Sequence, residues 1–145
     1  MSVTKKLHSI MLIDDNEIDN LINQKMIESA AICQHMLVHT GARSAIEFLR
    51  NIEKLRSTVA DASKLIPEII LLDIDMPLMD GFQFLEEFER LSDAVKDQTR
   101  IIMLTSSMNP NDLSRAKKSK YVTKYFNKPL GFDNLLTLTA EAKEA

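Results

Sequence analysis

The stretch 69–81 reads IILLDIDMPLMDG and joins a short apolar run to acids and turn residues. Asp73 follows the apolar residues directly, and Pro77 and Gly81 come soon after it. Such a run predicts a central β-strand that is buried on both faces and ends at Asp73. Ligands and chemistry collect at the carboxyl ends of the strands in an open α/β sheet, so Asp73 is the first candidate for a functional residue.

Length and composition indicate one domain. The chain has 145 residues, of which 45% are hydrophobic, so residues 1–145 are expected to form a single domain with its core at about 8–140 and no output domain. The net charge is -3 with acids and bases interspersed, so no nucleic-acid-binding surface is predicted. The first apolar run is too short for a signal peptide or a membrane span, and a cytoplasmic protein is expected.

Apolar runs and amphipathic segments alternate along the whole chain. The predicted strands are residues 9–13, 36–40, 69–73, 100–104 and 121–127, and a helical pattern follows each of them. Residues 92–99 are expected to form a polar loop. The alternation predicts an α/β fold: a five-stranded parallel sheet with helices on both faces and right-handed crossovers.

The first helix is predicted to begin after a cap at Asn16 and to be amphipathic. Its apolar residues at helical spacing are Ile18, Leu21, Ile22, Met26 and Ile27.

Polar side chains follow four of the five predicted strands. If the sheet is parallel, Asp14 and Asp15, Asp73, Thr105 and Lys128 can converge at one edge although they are far apart in sequence. Clustered carboxylates bind a hard divalent cation, and a hydroxyl and an ammonium are donors for phosphoryl oxygens. Because a carboxylate can also be a nucleophile, this set predicts phosphoryl transfer to a protein carboxylate.

Four segments together resemble the receiver domain of bacterial two-component response regulators. They are LIDD at 12–15, LLDIDMPLMDG at 71–81, MLTSS at 103–107 and YFNKP at 125–129, in the order in which that family has them. The resemblance covers essentially the whole chain. It implies a flavodoxin-like, doubly wound sheet with strand order 2-1-3-4-5.

The resemblance also implies a role for each matching residue. Asp73 corresponds to the phosphoacceptor, Lys128 to the lysine that pairs with it, and Thr105 and Tyr125 to the switch residues. The implied site for Mg²⁺ (or Mn²⁺) consists of the carboxylates of Asp15 and Asp73 and the backbone carbonyl of Asp75, with Asp14 acting through a bound water.

The implied protein is a phosphoacceptor rather than an enzyme, and it assists its own phosphorylation and dephosphorylation. The implied donor is a sensor histidine kinase or a phosphotransfer protein. An unknown downstream protein would dock on the face formed by the fourth strand, the basic helix at residues 115–118, and the fifth strand with the helix that follows it. No nucleic-acid or membrane partner is expected, and the chain is expected to be a monomer or a weak dimer.

Two other functions stay open at this point. A haloacid-dehalogenase-like phosphatase also has an acid two residues after a nucleophilic aspartate, as in ILLDID, although Pro77 stands here where that family usually has a small hydroxyl or branched residue. A receiver-like scaffold that acts without phosphorylation is the third. The chain is also longer than the family between Asp15 and Asp73, and the excess at residues 51–66 is expected away from the site edge. Asp80 is expected to shape the turn into the third helix.

Overall fold

The computed structural model of the protein describes residues 6–74, 76, 79–106 and 109–144, with side chains up to residue 139. Its centre is a parallel sheet of five strands in the order β2-β1-β3-β4-β5. The strands are β1 (Leu7–Ile13), β2 (Cys33–His39), β3 (Ile69–Asp73), β4 (Arg100–Thr105) and β5 (Val122–Asn127). The predicted fold class and strand order are therefore confirmed.

Six α-helices cover the two faces of the sheet within the described residues. They are α1 (Glu17–Ala30), α2 (Ala42–Leu55), α3 (Gly81–Glu89), α4 (Asp93–Lys96), α5 (Pro110–Lys117) and α6 (Phe132–Glu144). Buried side chains of α1 and α6 share one core cluster with the sheet, and those of α2, α3 and α5 share the other. None of the helices in the described ranges is long and apolar enough to cross a lipid bilayer.

The alternating orientation of strand residues builds the two clusters. Ile70 and Leu72 of β3 belong to the cluster under α2 and α3, whereas Ile69 and Leu71 belong to the cluster under α1 and α6. All five residues of β3 are buried. Because β3 has paired neighbours on both sides and helices over both faces, the apolar run before Asp73 lies in the middle of the core.

The extra residues between α2 and β3 lie away from the carboxyl edge of the sheet, as expected. A short 3-10 helix (Ala62–Leu65) follows α2, and the carbonyl of Lys64 lies 2.7 Å from Nε2 of His8 at the start of β1. Thr99 donates a hydrogen bond of 2.7 Å to the carbonyl of Pro67, just before β4. The inserted segment therefore packs along the amino edge.

The expected polar loop at residues 92–99 is wrong in part, because α4 forms one helical turn there. Val95 is buried, and Nζ of Lys96 donates a hydrogen bond of 2.9 Å to the carbonyl of Glu89 near the end of α3. A helix of four residues is too short to have a visible apolar period, so its formation depends on these tertiary contacts.

The predicted apolar face of α1 is also wrong in part. Ile18, Leu21 and Ile22 are 68%, 54% and 50% exposed. The residues of α1 that are buried are Asn20, Asn23 and Ile27. The helix therefore turns two asparagines toward the sheet and leaves a strip of apolar side chains in solvent.

Candidate functional site

Asp14 is fixed at the carboxyl end of β1. The residue is 2% exposed, and its Oδ1 accepts the N–H of Asn16 at 2.9 Å. The backbone carbonyl of Asp14 accepts the side-chain amide of Asn20 at 2.8 Å, and its own N–H donates to the carbonyl of His39 at 3.2 Å. The first turn of α1 and the end of β2 thus hold one buried carboxylate in place. Asp15 follows it and is exposed.

Asp73 is the last residue of β3 and is 3% exposed. The start of α3 lies close against this strand end, because a Cβ at Gly81 would lie 3.0 Å from both the carbonyl oxygen of Asp73 and the Cα of Ile74. Only glycine fits that approach without moving the backbone. Asp80 caps the helix and forms a reciprocal capping box with Gln83, which confirms its expected place in the turn.

Lys128 reaches the two buried acids from the turn after β5. Its backbone N–H donates to the carbonyl of Thr105 at 2.8 Å. Its Nζ lies 2.8 Å from Oδ2 of Asp14, 3.3 Å from Oδ1 of Asp73 and 3.3 Å from Oδ2 of Asp19. The lysine side chain is 18% exposed, so these ion pairs are shielded from most of the solvent.

The acids around Lys128 stabilise its positive charge. Burial by itself lowers the pKa of the ammonium, but the hydrogen bond to Asp14 and the charges of Asp73 and Asp14 outweigh that effect and raise the pKa above its ordinary value. Lys128 is therefore a cation at every physiological pH.

Asp14, Asp15 and Asp73 form a group that fits a hard divalent cation. One carboxylate oxygen from each lies within 4.8 Å of the others, and the group combines two buried acids with an exposed one. Oxygen ligands from a few carboxylates, with room for water on the exposed side, are the donors that Mg²⁺ prefers. Asp75, whose carbonyl is also a predicted ligand, lies outside the described residues.

The two predicted switch residues occupy different surroundings. Thr105 ends β4, is 2% exposed and offers its carbonyl to Lys128. Tyr125 is half-buried and packs against the core cluster under α2, α3 and α5, where burial raises the pKa of its hydroxyl. The structure thus joins Thr105 to the lysine through the backbone and keeps the Tyr125 ring on the face of the sheet.

Sequence reasoning missed Asp19 and Asn20. Both lie in the first turns of α1, after the cap at Asn16, whose Oδ1 accepts the N–H groups of Ile18 at 2.9 Å and Asp19 at 3.0 Å. Acids near a helix N-terminus are commonly explained by the helix dipole, so Asp19 carried no separate signal. A buried asparagine can be recognised only once the packed face of the helix is known.

An exposed apolar strip lies beside the acids. Ile18, Leu21 and Ile22 form this α1 strip, and Ile22 also lines a groove of about 300 Å³ together with Lys128 and Pro129. Asp19 and Ser106 line the same groove. Apolar surface of this kind next to a polar site is typical of a protein contact.

The chain matches the family model described as the response regulator receiver domain over residues 10–140. The probable methanogenesis regulatory protein FilR2 of Methanothrix harundinacea is 27% identical over 135 residues, which are 93% of this chain and 81% of that protein.

Two solved structures are similar throughout. A two-component response regulator from Cytophaga hutchinsonii has a TM-score of 0.83 and 27% identity, over 97% of this chain and 100% of that one. A response regulator receiver protein from Dyadobacter fermentans has a TM-score of 0.76 and 27% identity, over 92% and 96%.

Proposed function

This chain belongs to the response regulator receiver domain family, and we propose that it accepts a phosphoryl group on Asp73 from a phosphohistidine of a partner protein. The observation that carries the proposal is the meeting of Asp73 with a partly buried lysine and two further acids at one edge of the sheet. Receiver domains as a family are phosphoacceptors of two-component signalling.

The reaction is an in-line displacement at phosphorus. An oxygen of the Asp73 carboxylate forms a bond to phosphorus, and the bond between phosphorus and the histidine nitrogen of the donor breaks. The electron pair of that bond stays on the imidazole nitrogen. Because the other ring nitrogen of the donor carries a proton, the products are an aspartyl phosphate and a neutral histidine. The protein contributes mainly positioning and charge neutralisation, because an anionic group must approach an anionic acceptor.

Three side chains of this chain have distinct tasks in that step. Lys128 neutralises part of the charge at Asp73 and then pairs with the phosphoryl oxygens, for which its ammonium is 3.3 Å from Oδ1 of Asp73 before the reaction. Asp14 holds the ammonium at 2.8 Å. Thr105 supplies a hydroxyl donor from the end of the neighbouring strand.

Receiver domains bind Mg²⁺ at an acidic pocket, and Asp14, Asp15 and Asp73 would hold it here. When bound, the cation neutralises the charge of the transferring phosphoryl group.

A protein donor is supported by the α1 strip. Ile22 of this strip lines the groove at Lys128, so a protein docked there would bring its phosphohistidine to the acceptor's edge of the sheet. The output is proposed to be a change in the face formed by β4, α5 and β5, where Tyr125 is half-buried. Phosphorylation would shift the population of two arrangements of that face and so alter docking of a downstream protein.

The two alternatives predict different chemistry at the same residues. A phosphatase of the haloacid-dehalogenase type would turn over phosphomonoesters many times. A scaffold would leave Asp73 unmodified. The receiver-domain match over residues 10–140 disfavours the phosphatase, and the acids and lysine that meet around Asp73 disfavour the scaffold.

Incubation with acetyl phosphate and Mg²⁺ separates these functions. We expect one acyl phosphate per chain that is labile to alkali and to hydroxylamine. Mass spectrometry after reduction with borohydride should locate it on Asp73, and Asp73→Asn should lose all labelling. EDTA should abolish labelling of the wild type. Turnover of phosphomonoesters would instead support the phosphatase, and an unlabelled, folded wild-type protein would support the scaffold.

A further inference from the structure

Within the described residues, the ammonium of Lys128 contacts three acids, and two of them belong to the predicted cation site. Asp14 and Asp73 belong to the group that can hold a metal ion, whereas Asp19, at 3.3 Å from Nζ, does not belong to that group. Asp19 lies on α1 rather than at a strand end, and its side chain is 39% exposed.

A divalent cation and the Lys128 ammonium would compete for the same two carboxylates. A divalent cation that takes up the charge of Asp14 and Asp73 also repels an ammonium that stands 2.8 Å and 3.3 Å from those acids. A further anion beside Nζ would offset that repulsion and favour Lys128 staying in the site. Among the residues that the structure describes, Asp19 is the acid that contacts Nζ without belonging to the cation-binding group.

We propose that Asp19 is a positioning residue, whose carboxylate keeps the Lys128 ammonium beside Asp73 while a divalent cation occupies the carboxylate group. This inference rests on the proposed function. It assigns to α1 a part in the site that neither the strand-end pattern nor the family motifs contain.

Both partners are anchored well enough to act this way. The N–H of Asp19 is bonded at 3.0 Å to the cap residue Asn16, and the N–H of Lys128 is bonded at 2.8 Å to the carbonyl of Thr105. Because the two backbones are fixed, the ammonium can move between its acids by side-chain rotation alone. No change of fold is required.

A merely structural role for Asp19 must be separated from this one. An acid in the first turn stabilises a helix through its dipole, and Glu17 is a second acid in the same turn. Glu17 is exposed, so Glu17→Gln removes the same charge from the same turn and serves as the matched control. Asp19→Glu retains the charge and serves as the rescue.

The first measurement is the affinity for Mg²⁺ by isothermal titration calorimetry at low ionic strength. We expect Asp19→Asn to weaken Mg²⁺ binding about fivefold, because a partly exposed ion pair changes an equilibrium constant by up to about fivefold. Glu17→Gln should weaken binding less than twofold, and Asp19→Glu should restore most of the lost affinity. Equal affinities in Asp19→Asn and Glu17→Gln would overturn the proposal.

The second measurement asks whether Asp19 acts through Lys128. In a Lys128→Met background, Asp19→Asn should weaken Mg²⁺ binding no more than Glu17→Gln does, since the ammonium it holds is gone. The same fivefold loss in both backgrounds would mean that Asp19 acts as a general negative charge, and the proposal would be wrong.

The affinity measurements do not depend on phosphorylation, so they remain decisive if Asp73 is never labelled. If the wild type is labelled, the rate with acetyl phosphate at saturating Mg²⁺ should also fall severalfold in Asp19→Asn and be retained in Glu17→Gln. An unchanged rate in a variant with weakened Mg²⁺ binding would contradict the positioning of the lysine.

Discussion

Lys128 and Lys96 are both largely buried lysines, with side chains 18% and 11% exposed, yet they lie in regions of different kinds. Lys128 meets acids that are 109 and 114 residues away in sequence, at the carboxyl edge of the sheet. Lys96 bonds the carbonyl of Glu89, seven residues away, lies 3.5 Å from the exposed Asp93, and stands 5.6 Å from the centre of the Tyr121 ring.

The difference shows that burial of a lysine does not by itself indicate function. At Lys96, a carbonyl oxygen and an aromatic ring stabilise the ammonium. Neither group has a net negative charge that could bind a metal ion. Three carboxylates around one ammonium carry surplus negative charge, so they can take up a cation. Lys96 therefore joins α3 to α4, whereas Lys128 belongs to a site that can change its charge state.

The largest expected effect that tests this contrast is on phosphorylation. Lys128→Met should slow labelling by acetyl phosphate and Mg²⁺ about a hundredfold, because removing one preorganised donor typically costs that much. Lys96→Met, the matched change at the other lysine, should remain within about twofold of the wild type. Similar losses of labelling rate in both variants would contradict the assignment of Lys128 to the functional site and of Lys96 to a purely structural role.

A smaller effect is expected on thermal stability, and Mg²⁺ should distinguish the two lysine variants. Lys96→Met should lower Tm by about 3 °C, since the carbonyl of Glu89 loses its donor, and Mg²⁺ should not restore it. In Lys128→Met, buried acids lose their countercharge, so Tm should fall without Mg²⁺ and recover with it. Differential scanning calorimetry in EDTA and in Mg²⁺ measures both, with the exposed Lys25→Met as the control. If Mg²⁺ restored the Tm of Lys96→Met, the purely structural role of Lys96 would be contradicted.

The smallest expected effect is a pH dependence. The pKa of Lys128 is raised above its ordinary value of 10.5, so the folded state holds this proton more tightly than the unfolded chain does. The stability that the charged lysine contributes is therefore fully present below the unfolded pKa and is lost as pH rises through the folded pKa. In EDTA, the difference in Tm between wild type and Lys128→Met should stay constant from about pH 7 to pH 9 and begin to shrink above about pH 10.5. A difference that shrinks already near neutral pH would show that the ammonium is not held as described.

The strand-end rule succeeded because it depends on topology. Asp73 ends a strand, and Asp14 and Lys128 each follow one directly. A parallel sheet brings such positions to one edge whatever the details of packing. The rule was weaker for Tyr125, which stands inside a strand. Its proposed switching depends on movement of a ring that packs half-buried against the core.

The helix patterns were less reliable, and α1 shows why. Its apolar spacing predicts an amphipathic helix, but the first turns must also place Asn20 under the carbonyl of Asp14. That requirement turns the helix so that Ile18, Leu21 and Ile22 face solvent. Periodicity reports which residues share a face, and it cannot report which face packs when a polar contact at the site competes with the apolar one.

The sequence by itself determined the α/β class, the order of the site segments and the acids and lysine that end the strands. These follow from hydrophobic runs and local punctuation, which any segment carries within itself. The tertiary structure alone decided that α1 exposes its apolar strip, that Lys96 caps α3, and that Asp19 joins Asp14 and Asp73 around Lys128. Such contacts depend on how a helix is rotated against the sheet and on side chains that meet across more than a hundred residues, and no local pattern encodes either.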